Sequence, residues 1–204
     1  MAIVLASHNI HKCQELRALC PEITWVTLSD YAGDPPEETG VTFLENALIK
    51  ARAASHLTGL PALADDSGLV VPALKGDPGV YSARYAGVGA SDHDNLSKLL
   101  SVMHNKKEKF ERAAYYVAVL VFVKHPDDPM PIVAEGIWSG EIAEKPKGDQ
   151  GFGYDPIFWL PDLQKTVAQL SFEEKLTHSH RTQALMEFKR KWRWMSHESQ
   201  QDHQ

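Results

Sequence analysis

The stretch Leu63-Ala64-Asp65-Asp66-Ser67-Gly68-Leu69-Val70-Val71 sets two adjacent carboxylates and a hydroxyl between two apolar runs. The flanks read as short buried strands, and the acids read as a glycine-containing turn at a sheet edge, where loops on a rigid scaffold commonly do chemistry. Adjacent carboxylates repel, and a magnesium ion offsets that repulsion while leaving positions for water and phosphate. The competing reading is an Asx-turn in which Asp66 or Ser67 bonds nearby backbone.

Working outward, residues 2–6 form an apolar strand, followed by the polar turn Ser7-His8-Asn9 and a helical pattern through Leu16, Leu19 and Cys20 that Pro21 stops. Residues 23–28 return as a strand. Thr42 and Glu45 make a capping box for a helix through Leu44, Ala47, Leu48, Ala51 and Ala54, ended by Gly59-Leu60-Pro61. Residues 92–103 repeat that pattern, with Ser91 or Asp92 as cap. Residues 113–123 and 132–142 read as an antiparallel pair. A sheet with helical crossovers and a hairpin is mixed, so the class is α/β. Residues 144–156 form a long glycine-rich loop. Ser171 and Glu174 cap a short helix, and a final helix over 182–195 buries Leu185, Phe188, Trp192 and Met195. Residues 1–195 read as one domain, and the polar residues 196–204 as a disordered tail.

The 204 residues, 43% hydrophobic and 24% charged, fit a globular protein, and no apolar run is long enough to span a bilayer. Residues 1–6 lack the basic start of a secretory signal, so cytoplasm is expected. The formal net charge of -6 argues against broad nucleic-acid binding. Cys13 and Cys20 sit nearly two helical turns apart, too far for a disulfide.

Three further segments carry chemistry. Ser7, His8, Asn9, Ile10, His11 and Lys12 span a strand-to-helix junction, where unsatisfied N–H groups and the helix dipole favour an anion. Alternatively, Ser7 or Asn9 is only an N-cap and Lys12 a solvated residue. Phe152, between Gly151 and Gly153, offers a flat face for stacking a base, unless Phe152 and Tyr154 simply plug the core. Lys175 and His178-Ser179-His180-Arg181 can read a heterocycle edge. Two histidines there do not make a zinc site. Neither of the common glycine-rich phosphate signatures is present.

The segments S-H-N-I-H-K, E-E-T-G-V-T-F-L-E-N-A, A-D-D-S-G-L, P-G-V-Y-S-A-R-Y-A-G, G-F-G-Y-D-P-I-F and S-H-R occur in the order and at the spacing of one family. The chain resembles the inosine triphosphate pyrophosphatases from about Ile3 to Leu185. That resemblance implies a long mixed sheet with helices in two lobes around a central cleft. It also implies hydrolysis of dITP, ITP and XTP to the monophosphate and pyrophosphate, with Mg²⁺, by a homodimer that cleanses the nucleotide pool. By similarity, Ser7 to Lys12 hold phosphates and Lys50 faces them. Asp66 is proton acceptor and metal ligand, and Glu38 is a second ligand. Ser67, Phe152, Gly153, Tyr154, Asp155, Lys175, His180 and Arg181 contact the nucleotide. Thr182 stands where many members have glycine. Rival readings are a pyrophosphatase for pyrimidine or other modified nucleotides, a non-catalytic nucleotide- or RNA-binding module, and a general phosphatase.

Overall fold

The computed structural model describes residues 2–7, 9–28, 31 and 36–201, with backbone alone from 194 onward. In chain order the elements are β1 (Ala2–Leu5), α1 (Ile10–Leu19), β2 (Thr24–Thr27), α2 (Phe43–Thr58), β3 (Ala62–Val70), α3 (Asp92–Val102), β4 (Ala113–Val123), β5 (Ile132–Ile142), β6 (Phe158–Leu160), β7 (Lys165–Thr166), α4 (Phe172–His178) and α5 (His180–Gln201). The strands form one sheet in the order β2-β1-β3-β4-β5-β6-β7. β1 runs parallel to β2 and β3, with Leu5 opposite Thr27 and Leu63, and β6 runs antiparallel to β5 and β7. The sheet is therefore mixed, and the class is α/β as expected.

Local signals explain the helices. Asn9 caps α1 by accepting from the Lys12 N–H. α2 opens on the reciprocal Thr42/Glu45 capping box and stops where Gly59 turns left-handed at φ 67. The Ser171/Glu174 box opens α4 in the same way. Each box satisfies backbone donors that a helix N-terminus leaves without partners.

Two expectations need correction. The acid segment is not a turn: β3 runs unbroken through Asp65, Asp66, Ser67 and Gly68. Successive strand side chains point to opposite faces, and each acid meets its own lysine, so neither needs a turn to satisfy it. The last helix also continues past Met195 to Gln201 in backbone, since no glycine or proline interrupts residues 196–201. Asp202 to Gln204 lie outside the described residues.

The chain divides into two compact units. The first comprises Met1–Asp66, Ala118–Gly136 and His180–Gln204, and the second Ser67–Val117 and Ile137–Ser179. The first has a core of Ile3, Leu5, Leu16, Leu63, Leu120, Phe122, Leu185 and Phe188, with Trp192 edge-on to Phe122 at 4.6 Å between centroids. The second buries Leu69, Leu99, Met103, Tyr116, Trp138, Tyr154 and Phe158, with Tyr116 stacked on Phe158 at 4.3 Å. Each fully buried large side chain contributes about 1.5–3 kcal/mol to its own core.

Candidate functional site

In the first unit, β3 carries Asp65 and Asp66, both buried, on its way out of the core. The first turn of α1 brings Lys12 to Asp65, with Nζ 2.7 Å from Oδ2. Arg181, at the start of α5, forms a close ion pair with Glu15 of α1 and holds its Nε 3.6 Å from the same Asp65 oxygen. Gly136 of β5 lets α5 approach: a Cβ there would lie 2.0 Å from the His180 carbonyl oxygen and 2.5 Å from the Ala184 nitrogen. α2 supplies Lys50, whose Nζ donates to Asp66 Oδ1 at 2.6 Å and to Glu38 Oε1 at 3.0 Å.

The adjacent acids sit in opposite electrostatic environments. Burial alone would raise Asp65, but the charges of Lys12 and Arg181 and the Lys12 hydrogen bond outweigh it and hold its carboxyl well below the usual carboxylate range. For Asp66 burial wins, and its carboxyl is raised even though Lys50 works against the shift. Burial would lower Lys50, yet Asp66 and Glu38 raise it, so the ammonium stays charged between two carboxylates. Two neighbouring acids pushed apart in this way suit two roles: Asp65 a fixed negative charge, Asp66 a stronger proton acceptor.

Glu38 and Asp66 already share one cation, the Lys50 ammonium. Two carboxylates are the kind of hard oxygen set that Mg²⁺ takes from protein while keeping water and phosphate on its remaining positions, so these residues fit the ion. Among the described residues, no group of three or more His, Cys, Asp or Glu side chains could hold a metal unaided.

At the α1 junction, half of the plainer reading holds. Asn9 is indeed the N-cap, and Ser7 Oγ accepts from the Asn9 N–H at 3.2 Å. Lys12 is not a solvated surface residue, because its ammonium is paired with a buried aspartate. Ile10 and His11 are exposed, and His8 lies outside the described residues.

In the second unit, the loop after β5 is wound around Asp155. This buried carboxylate accepts from the Phe152 N–H at 3.0 Å, from Lys175 Nζ at 2.9 Å and from the Tyr116 hydroxyl at 3.0 Å. The Lys175 ammonium sits 4.6 Å from the centroid of the Phe152 ring, within cation–π range. Asp92, at the start of α3, accepts from the Gly153 N–H at 2.7 Å. Burial raises the Tyr154 phenol, which stays protonated and donates to the Ser82 carbonyl at 2.8 Å. Phe152 and Ser67 are half-exposed, whereas Tyr154 is buried. Tyr154 therefore plugs the core, as the plainer reading of the loop has it, whereas Phe152 is only partly buried.

The structure thus gathers Lys12, Lys50, Glu38, Asp65, Asp66 and Arg181 in the first unit, and Phe152, Gly153, Tyr154, Asp155 and Lys175 in the second. The reading of Lys175 with His180 and Arg181 as one recognition run divides at Ser179/His180 between the units. Glu15 and Tyr116 belong to these networks without having been singled out in the sequence, and Asp92 is read there only as an alternative to Ser91, which is the cap of α3. Glu15 carried a signal, one helical turn beyond Lys12. Tyr116 is hidden in an apolar strand, and Asp92 reads as an ordinary helix-start acid.

A family model described as the Ham1 family matches residues 3–191. A dITP/XTP pyrophosphatase of Yersinia pseudotuberculosis is 52% identical over 185 residues, covering 90% of this chain and 93% of that protein. One of Pectobacterium atrosepticum is 50% identical over the same shares. A solved structure of a HAM1 protein from Coxiella burnetii superimposes with a TM-score of 0.86 at 45% identity, over 92% of this chain and 96% of its own.

Proposed function

The chain belongs to the Ham1 family, and from that premise we propose that it hydrolyses dITP, ITP and XTP to the nucleoside monophosphate and pyrophosphate. The observation that carries this reading is the divided environment of the adjacent acids, Asp65 locked in its ionised form by Lys12 and Arg181 and Asp66 made more basic by burial.

In the proposed mechanism a water attacks the α-phosphorus, the bond from that phosphorus to the α–β bridging oxygen breaks, and pyrophosphate leaves. Asp66 orients the water and takes its proton. Lys12 and Lys50 hold the phosphate oxygens and stabilise charge on the departing pyrophosphate, the service preorganised cations render best where water is scarce. The N–H groups at the start of α1 add a further anion site, with Ser7, Asn9, Ile10 and His11 contributing backbone or side-chain donors. The substrate carries roughly four negative charges and meets a protein of net negative charge, so local lysines must guide its approach. Asp65 supports them by holding the Lys12 ammonium in place.

Glu38 and Asp66 are the proposed ligands of Mg²⁺, which when bound neutralises charge on the phosphates and polarises them toward attack. Phe152 stacks on the base, with Lys175 and Ser67 as polar groups that read it. A six-carbonyl accepts from fixed donors where adenine's amino group cannot, which gives the selection of inosine and xanthosine over adenosine. Among the described residues no helix is long and apolar enough to cross a membrane. By family likeness we also propose a cytoplasmic homodimer.

Product analysis with dITP, with and without Mg²⁺, tests substrate, bond and cofactor together. The expected products are dIMP and pyrophosphate with the ion and neither without it. Orthophosphate as first product would overturn the reading.

A further inference from the structure

Asp155 is 3% exposed, and a carboxylate so buried must be fully supplied with donors. Two of its donors, Lys175 and the Phe152 N–H, belong to the groups given base-binding roles above. The third comes from a different element. Tyr116 stands in β4 inside the core of the second unit, 7% exposed, its ring stacked on Phe158 and its hydroxyl 3.0 Å from Asp155 Oδ1. The loop closes tightly on the other carboxylate oxygen: Gly151 has φ +78, and a Cβ there would lie 2.1 Å from Asp155 Oδ2.

The three donors are not mechanically equal. Lys175 reaches the carboxylate on a flexible four-carbon stem, and Phe152 lies on an irregular loop. Tyr116 is fixed by a strand and by ring packing, so its hydroxyl is the rigid reference. An aspartate carboxylate turns readily about its terminal torsion. Whatever fixes that turn also fixes where Oδ2 directs the Lys175 ammonium and the Phe152 amide.

We propose that Tyr116 is a positioning residue for base recognition, acting through Asp155 to set the Lys175 ammonium over the Phe152 ring. The inference rests on the base-binding reading of Phe152 and Lys175. Losing the hydroxyl leaves the ring packed and the core filled, but frees the carboxylate to rotate and draw Lys175 away from the stacking face.

Tyr116→Phe removes that single oxygen. The expected result is a KM for dITP raised about tenfold, as for the loss of a hydrogen bond to a charged group, with kcat within about twofold. The Ki of inorganic triphosphate, which has no base, stays unchanged, and the Phe152 amide exchanges faster with solvent. A merely structural hydroxyl would instead raise the KM and the triphosphate Ki together. That outcome, an unchanged KM, or a fall in kcat alone would overturn the proposal. Failure of the functional reading is distinct: it appears in the unaltered protein, as no pyrophosphate from dITP.

Discussion

The Lys50 ammonium lies 2.6 Å from Asp66 Oδ1, yet burial still raises this carboxyl above its ordinary range. The raised value means that ionised Asp66 is held at a cost to the fold, kept for its reactivity. Asp66→Asn removes the charge at nearly constant shape and leaves Lys50 paired with Glu38. We expect nucleotide binding to persist while kcat falls by about 10²–10⁴, the range for a positioned general base. The same variant should melt at or above the temperature of the parent protein, the usual trade between stability and activity. Pyrophosphate release and a thermal melt on one preparation check both; normal turnover would exclude Asp66 as the base.

Asp65 should behave in the opposite way. Its carboxyl is lowered in the folded state, so its contribution to stability is present above the unfolded carboxylate range, about pH 4, and is lost as pH falls through the lower folded value. Asp65→Asn leaves Lys12 without its buried partner and Arg181 with only part of its own. A loss of about 3–5 kcal/mol at neutral pH is expected, as for breaking one side of a buried ion pair. The gap from the parent protein should narrow in acid, where parent Asp65 is itself protonated. Urea melts at pH 7 and at the lowest pH both proteins tolerate measure it.

Lys50 opposes the upward shift of Asp66, so its removal should show in the pH–rate profile. Activity that needs ionised Asp66 rises with pH through that carboxyl's own value. In Lys50→Met burial acts unopposed by the nearest charge, and the acidic limb of kcat should move to higher pH. A limb that stays put or moves to lower pH would show that another group titrates there.

How much of this was readable beforehand depends on the kind of interaction. Periodicity and capping chemistry are local, so β4, β5 and the boxes at Thr42 and Ser171 were predictable from spacing alone. The course of β3 was not, because two acids and a glycine mimic a turn unless one knows that Lys12 and Lys50, from helices distant in sequence, are waiting on opposite faces. Tyr116 stayed hidden for a related reason: one hydroxyl in a valine-rich strand has no local pattern, and only the fold brings Asp155 to it. Glu15 was the exception that spacing could have found.

Gly136 is a packing requirement with a functional consequence. A methyl group there would lie 2.0 Å from the His180 carbonyl oxygen, backbone that cannot swing aside as a side chain would. Gly136→Ala should destabilise the protein by about 1–3 kcal/mol, the range for overpacking a tight site. By pushing the start of α5 outward, it should also weaken the Arg181 pairing with Glu15. A lower melting temperature accompanied by a raised KM is the expected pair of results. A lower melting temperature with an unchanged KM would mean that α5 shifts without disturbing Arg181.

Glu38 offers the most direct handle on the cation. It is half-buried, shares the Lys50 ammonium with Asp66, and is the less enclosed of the two carboxylates. Chelation should abolish turnover in the parent protein, and added Mg²⁺ should restore it. Glu38→Gln keeps an oxygen acceptor but loses a charge, so half-maximal activity should require about tenfold more Mg²⁺, with kcat at saturation reduced much less than in Asp66→Asn. A cation titration at fixed dITP separates the two effects. If the Glu38→Gln curve overlays that of the parent protein, the second ligand lies elsewhere, and the Lys50 bridge between Glu38 and Asp66 is an ion pair that serves only the fold.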